Sequence, residues 1–306
     1  MDNLKLLRYN TGTDKQVLIQ FTDEFSAVIF NATIVAYSRS AVADLVSVHK
    51  NQYIIDPQTH IYQQSIDDVR TQSKTGEYVI KKSVSQYLDE LPPELKHEFT
   101  GRNGCLPVSV ISSHMDSLID AVYSFETSYV NQYVKSKEYD KYLEFAQIGP
   151  KAAVAIAPYF MIKSSYTDFE INDWITLNAK FAKKFIQKNN GNYPVGVQIV
   201  LDKQILVKKG FVKQLCKAYQ GINAEFVFIW IDEFDLFATT NAHRIAFKEL
   251  LMELTALKMK PIMAYGGYDA ILLCHNDLPY RMHGVAQSVG YGENRAVTPV
   301  GGGLPV

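Results

Sequence analysis

Cysteine is scarce in this chain. Cys105, Cys216 and Cys274 are the only three in 306 residues, an odd number at wide spacing with no C-x-x-C pair. Such spacing argues against a disulfide framework and offers no zinc pattern, so the thiols are read as free cysteines in a reducing, cytoplasmic setting. Surplus charge is lacking as well. Thirty-one Lys and Arg stand against thirty-two Asp and Glu, a balance that creates no broad field to draw in duplex nucleic acid or an anionic membrane. No apolar run approaches the roughly 18 to 20 residues that span a bilayer. Residues 1–5 contain no basic stretch leading into an apolar core, so no secretory leader is expected.

Several chemical signatures are also missing. Without a G-x-S-x-G elbow or a cysteine set beside a catalytic histidine, serine or cysteine nucleophilic chemistry loses its usual marks. The absence of H-E-x-x-H and H-x-H removes the strongest metal motifs, and no G-x-G-x-x-G accompanies a strand and a suitably spaced acid, which argues against a dinucleotide cofactor. The cofactor is therefore unknown, with a divalent metal as the one candidate.

What the chain does have is a repeated unit: a short apolar run ending in acidic, histidine, glycine or tyrosine residues, then a longer helical stretch. The runs are residues 53–56, 108–111, 154–157, 195–202, 226–232, 262–265 and 285–289. They are continuous rather than alternating, as strands buried on both faces should be. Seven such units predict a parallel β/α barrel, and an open doubly wound sheet is the alternative because it has the same local pattern. Residues 1–50 differ in texture. Apolar runs at 16–21 and 27–30, separated by Asp23-Glu24, read as a β-rich addition covering one end of a barrel domain that spans 51–306. After the last run no helix closes the unit, so the native protein is expected to extend beyond Val306.

Helices are predicted around 79–88 and 116–145. The clearest begins at Thr167-Asp168-Phe169-Glu170, a capping box, and ends at Asn189-Asn190-Gly191. Another carries Ala242, Ile245, Ala246, Leu250, Leu254 and Leu257 on one stripe.

In a barrel the polar residues that follow each strand gather around one mouth. Asp56 and His60 follow the first of the seven runs. Asp56 is a candidate catalytic carboxylate, and His60 a candidate acid or base because its ordinary pKa lies near neutrality. His114 and Asp116 follow the second run, Asp202 the fourth, and Asp232, Glu233 and Asp235 the fifth. A hydrophobic strand ending in Asp-Glu resembles the Walker B segment of AAA-type ATPases, which implies magnesium association at Asp232 and water activation at Glu233. The phosphate loop that should accompany it is imperfect, since the stretch from Gly76 to Ser83 lacks the second glycine. Tyr265, Gly266 and Gly267, then Tyr291, Gly292, Glu293 and Arg295, fall at or after the last runs. There, backbone N–H groups and a guanidinium can hold an anion, and aromatic faces can hold a sugar or base.

The expected function is an enzyme using Asp56 and Asp232, with Glu293 as alternate, on a glycosyl or nucleoside-like bond, either as hydrolase or as transglycosylase. Its expected partner is a small sugar or nucleotide-like substrate. The alternatives are a non-catalytic binding or assembly component with a protein partner, and an ATPase.

Overall fold

Leu4 and Leu6 face the inside of the first strand while Leu7 and Tyr9 pack outward under the helices. This two-residue alternation, repeated strand after strand, builds an eight-stranded parallel sheet in the computed structural model of the protein. The structure describes residues 3–10, 12–49, 52–133, 150–288 and 297. The sheet strands are β1 (Leu4–Tyr9), β2 (Ala27–Asn31), β3 (Tyr53–Asp56), β6 (Ala155–Ile156), β7 (Val195–Leu201), β8 (Phe226–Ile231), β9 (Lys260–Met263) and β10 (Gly284–Gln287). Between β3 and β6 lies a separate antiparallel hairpin of β4 (Arg70–Gln72) and β5 (Tyr78–Ile80). The order β3-β2-β1-β10-β9-β8-β7-β6 follows the chain around a nearly closed barrel. Helices lie against its outer face, among them α1 (Gly12–Gln20), α6 (Val108–Ser113), α7 (Met115–Gln132), α8 (Asp168–Asn189) and α11 (Asn241–Ala256).

The interior is filled by large and small residues in turn. Phe226, Phe228 and Trp230 of β8 all point inward, and Gly196 of β7 makes room for them. A Cβ at Gly196 would lie 2.7 Å from the Phe228 ring, so any larger residue would force the two strands apart.

The seam between β3 and β6 is the weak point of closure. One bridge spans it, Tyr53 with Ala152, made by the Ala153 N–H donating to the Tyr53 carbonyl at 2.8 Å and the Tyr53 N–H donating to Lys151 at 3.3 Å. Ala155 donates to Pro194, just before β7, and Ala157 to Gly196 of β7, so the Ile156 N–H points to the opposite edge. It donates to Oε2 of Glu126, from α7, at 3.0 Å. A side chain here replaces a missing ladder bond. Burial pushes the Glu126 carboxyl well above the ordinary range, the Ile156 N–H works against that shift, and the Asp56 charge adds to it.

Three parts of the expected organisation change. Residues 1–50 contribute β1 and β2, which pair with each other and with β10 and β3 inside the main sheet, not over one end of it. Residues 16–20 belong to the helix α1, which ends just before Phe21 and in which Asp14 and Leu18 are the buried residues while Ile19 is exposed. A three-residue apolar run carries no period of its own, and burial at i and i+4 makes it a helix. Residues 108–111 also form a helix, α6, entered through Pro107 and burying only Ile111. With one buried position per turn, that run has no second apolar face for a barrel wall.

The remaining helix expectations hold in part. The capping box at Thr167 is formed in both directions, and Asn190 ends α8 in the left-handed conformation. In α11 the buried stripe is shifted to His243, Ala246, Phe247, Leu250, Leu251 and Leu254, leaving Ala242 and Ile245 outside. The predicted helix at 79–88 is shorter, Lys82–Leu88, because Tyr78–Ile80 pairs in the hairpin. Of the stretch 116–145, residues 134–145 lie outside the described residues. Among the described residues, no helix is long and apolar enough to cross a membrane.

Because the native carboxyl of Glu126 holds its proton to higher pH than the unfolded one, its contribution is complete below the ordinary carboxylate range. It is then lost as pH rises toward the native pKa. Glu126→Gln, which keeps an acceptor for Ile156 and cannot ionise, is expected to flatten that alkaline loss. Glu126→Leu should cost about 1–3 kcal/mol at about pH 5 by stranding the N–H, and less as pH rises. Urea unfolding midpoints of the three proteins between pH 5 and 9 check both.

Candidate functional site at the barrel mouth

Arg8 sits on the inward face of β1, one step beyond Leu6, and is almost completely buried. Its guanidinium gathers the ends of neighbouring strands. Nε donates to the carbonyl of Ala264 after β9 at 3.0 Å, and Nη1 donates to Asn31 Oδ1 on β2 at 3.0 Å and to Asp56 Oδ2 on β3 at 3.1 Å. Burial works against the Arg8 charge, but Tyr265 and Asp56 more than compensate and hold it charged. Asp56 is wholly buried and its second oxygen is also engaged, accepting from the Tyr159 hydroxyl at 2.6 Å and from the Gln58 N–H at 3.2 Å.

Aromatic contacts complete a circuit. Tyr159 stacks on His60 with centroids 5.5 Å apart, His60 meets Trp230 edge-on at 5.8 Å, and Trp230 lies 4.5 Å from Tyr265. The Arg8 guanidinium lies 4.0 Å from the Tyr265 ring centroid. Arg8, Asp56, Tyr159, His60, Trp230 and Tyr265 thus form a closed ring of contacts at the C-terminal ends of the strands, where barrels place their chemistry. Thr59 locks the segment carrying His60 to the one carrying Tyr159, its hydroxyl donating to the Tyr159 carbonyl at 2.6 Å and accepting from the Tyr159 N–H at 2.8 Å.

His60 differs from its expected character. Both ring nitrogens are buried without a hydrogen-bond partner. Burial lowers its pKa to about 4, with Lys163 acting in the same direction and Asp56 opposing. At neutral pH it is an uncharged imidazole with one donor and one acceptor, which replaces the expectation of a titration near neutrality.

Asp232 follows β8, three strands from β3 by way of β6 and β7. It is half-buried, and its Oδ1 accepts the Val297 N–H at 2.6 Å, with Val297 packed against the barrel interior. The Walker-like neighbours take structural places. Glu233 is exposed, in the left-handed region at φ 45, and 3.7 Å from Lys203. Asp235 forms a turn by accepting from the N–H groups of Phe237 and Ala238. Instead of a phosphate loop, Gly76 occupies the hairpin turn and Tyr78–Ile80 the strand after it.

The other expected residues lie elsewhere. His114 stands between α6 and α7, with Nδ1 3.0 Å from the Val110 carbonyl, and Asp116 on α7 is an exposed partner of Lys184. Neither follows a strand, because the run before them is helical. Asp202 follows β7 but caps the next short helix through Gln204, while its other oxygen accepts from Ser164. Burial pushes the Asp202 carboxyl up, and the bonds from Ser164 and Gln204 outweigh it and hold the pKa below the ordinary value. Gly266 is a packing glycine whose N–H donates to Ala286 at 3.2 Å, and an added Cβ would lie 2.8 Å from both Ala270 and Val285. Gly267 precedes the short helix Tyr268–Leu272 as its cap. Tyr291, Gly292, Glu293 and Arg295 fall outside the described residues. Among the described residues no group of three or more His, Cys, Asp or Glu could hold a metal ion.

Sequence reasoning missed Arg8, Asn31, Trp230 and Gln198. Gln198 faces the interior from β7, opposite Phe228 in register, buried with neither amide atom paired. The signal was present at Arg8, a charge on the same two-residue face as Leu4 and Leu6. A scan against protein-family models and a search of curated proteins return no match for the chain.

Removing one member of a buried ion pair leaves the other uncompensated, so Arg8→Met is expected to cost about 3–5 kcal/mol. The double variant Arg8→Met/Asp56→Leu should lose clearly less than the two single changes added together, since no lone charge remains buried. Urea denaturation followed by tryptophan fluorescence measures the cycle, and simple additivity would contradict the coupling.

Proposed function

We propose that the ring of side chains around Asp56 is the active centre of an enzyme acting on a glycosyl or nucleoside-like bond, as hydrolase or transglycosylase. The observation that carries this reading is the closed circuit itself, a buried carboxylate held by Arg8 and Tyr159 and continued by the rings of His60, Trp230 and Tyr265. Cleavage at an anomeric carbon develops positive charge on a ring. A fixed carboxylate stabilises that charge, and aromatic faces position the ring. Asp56, rigidly bonded and wholly buried, suits the stabilising role. Asp232 is only half-buried, which suits a group that must exchange protons with solvent. Glu293 is the alternate carboxylate to this pair.

His60 enters this scheme as a hydrogen-bonding group rather than as the proton donor, because burial keeps it neutral. The free thiols Cys105, Cys216 and Cys274 support a reducing, cytoplasmic setting. A second reading, a binding component with a protein partner, is favoured by an apolar cavity of about 250 Å³ between α11 and the segment Leu273 to Tyr280, beside the exposed Ile245.

Nitrophenyl glycosides and a set of nucleosides, incubated with wild type, Asp56→Asn and Asp232→Asn, test the proposal. Turnover by wild type is expected, with kcat/KM lowered about 10²- to 10⁴-fold in each variant. Undiminished turnover in both variants would remove these carboxylates from the chemistry, and no turnover by wild type would favour the binding component.

A further inference from the structure

We propose that the barrel mouth receives an uncharged ring compound, a sugar or nucleoside without a phosphate, and that His60 and Gln198 are the side chains that hydrogen-bond it. This rests on the reading of the mouth as the ligand site and narrows the class of ligand.

The first support is polar capacity left unused. His60 is 2% exposed and Gln198 1% exposed. Among the described residues neither makes a side-chain hydrogen bond, although together they carry four buried donor or acceptor atoms. Buried polar atoms in folded proteins are almost always paired, and leaving them bare is costly. The two side chains share the barrel interior with Trp230: His60 meets its ring at 5.8 Å, and Gln198 lies one interior position before Val200, whose register partner is Trp230. An amide offers a donor beside an acceptor, and a neutral imidazole offers one of each. Hydroxyl pairs of a sugar and the edge of a base supply the complementary set.

The second support is the charge already cancelled there. Arg8, the cation within the ring, is paired with Asp56 and covered by Tyr265. The Gly266 N–H, expected to help hold an anion, is spent on Ala286. The groups acting on His60 are Asp56, Lys163 and the stacked Tyr159. Lys163, on the loop after β6, places its ammonium 5.9 Å from the Tyr166 ring centroid. A phosphate brought to this mouth would lose its hydration against a guanidinium already neutralised.

The test uses the full chain and tryptophan fluorescence titrations with methyl glucoside, methyl galactoside, uridine and guanosine, each beside its monophosphate. His60→Phe and Gln198→Met are run in parallel, with thermal midpoints recorded without ligand. At least one uncharged probe is expected to bind tenfold or more tightly than its monophosphate, and each variant to weaken that probe about tenfold. Because each variant removes unpaired polar atoms, its thermal midpoint should stay level or rise. Monophosphates binding as well as or better than their uncharged forms would overturn this inference and leave the ligand site standing. A fall in midpoint with unchanged affinity would show that the two side chains satisfy buried water and would overturn it too. If no probe of either series binds, the ligand-site reading fails and this inference with it.

Discussion

The buried pairing of Arg8 with Asp56 is the constraint on which the upper end of the barrel depends. A guanidinium in the interior must keep an anion and several acceptors close, because the cost of desolvating it exceeds what any single contact returns. Those requirements dictate what stands around it. Asn31 must end β2, the Ala264 carbonyl must turn inward after β9, and Asp56 must close β3. Asp56 in turn has oxygen capacity left over, taken up by Tyr159 from the loop after β6. One charge therefore ties together the ends of β1, β2, β3 and β9, and through Asp56 the loop after β6.

Closure of the sheet adds a second demand, met differently. β6 is only two residues long, and among the described residues the bridge to β3 is made by Ala152 in the segment leading into it, so backbone groups at the seam need other partners. Glu126 supplies one, and it can do so in an apolar setting because burial keeps its carboxyl protonated well above the usual range. His60 reaches the same end from the opposite chemistry, staying neutral because burial lowers its pKa. Burial thus leaves Arg8 and Asp56 as a compensated ion pair and pushes Glu126 and His60 toward their uncharged forms.

Much of the barrel was legible in the sequence, since strands buried on both faces leave continuous apolar runs, and six of the seven runs are sheet strands. What escaped has identifiable causes. Leu4–Tyr9 is interrupted by Lys5 and Arg8, so its apolar content looked too low for a buried strand, yet Arg8 is the residue that organises the mouth. Residues 108–111 looked like a strand because Val and Ile are β-branched, while the burial of Ile111 alone belongs to a helix. The site was legible only in part. Asp56, His60 and Tyr265 could be placed because they end apolar runs, whereas Trp230 and Gln198 lie within runs and differ from core residues only by their inward neighbours.

That difference bears on how the mouth can work. A carboxylate at a strand end is easily read as a reacting group, but Asp56 already spends both oxygens on Arg8, Tyr159 and Gln58. For it to attack a substrate, at least one of those bonds would have to be given up at a position that is wholly buried. Electrostatic stabilisation needs no such exchange, because a carboxylate fixed in advance by the protein can lower the energy of a nearby developing cation without moving. The same fixed geometry limits what can approach. Within the ring the Arg8 charge is already paired with Asp56, so on the proposed reading selectivity at this mouth would rest on shape and on satisfying the unpaired atoms of His60 and Gln198. On the proposed reading proton transfer would fall to a group outside the ring, and Asp232, half-buried directly after β8, is the carboxylate assigned to it there.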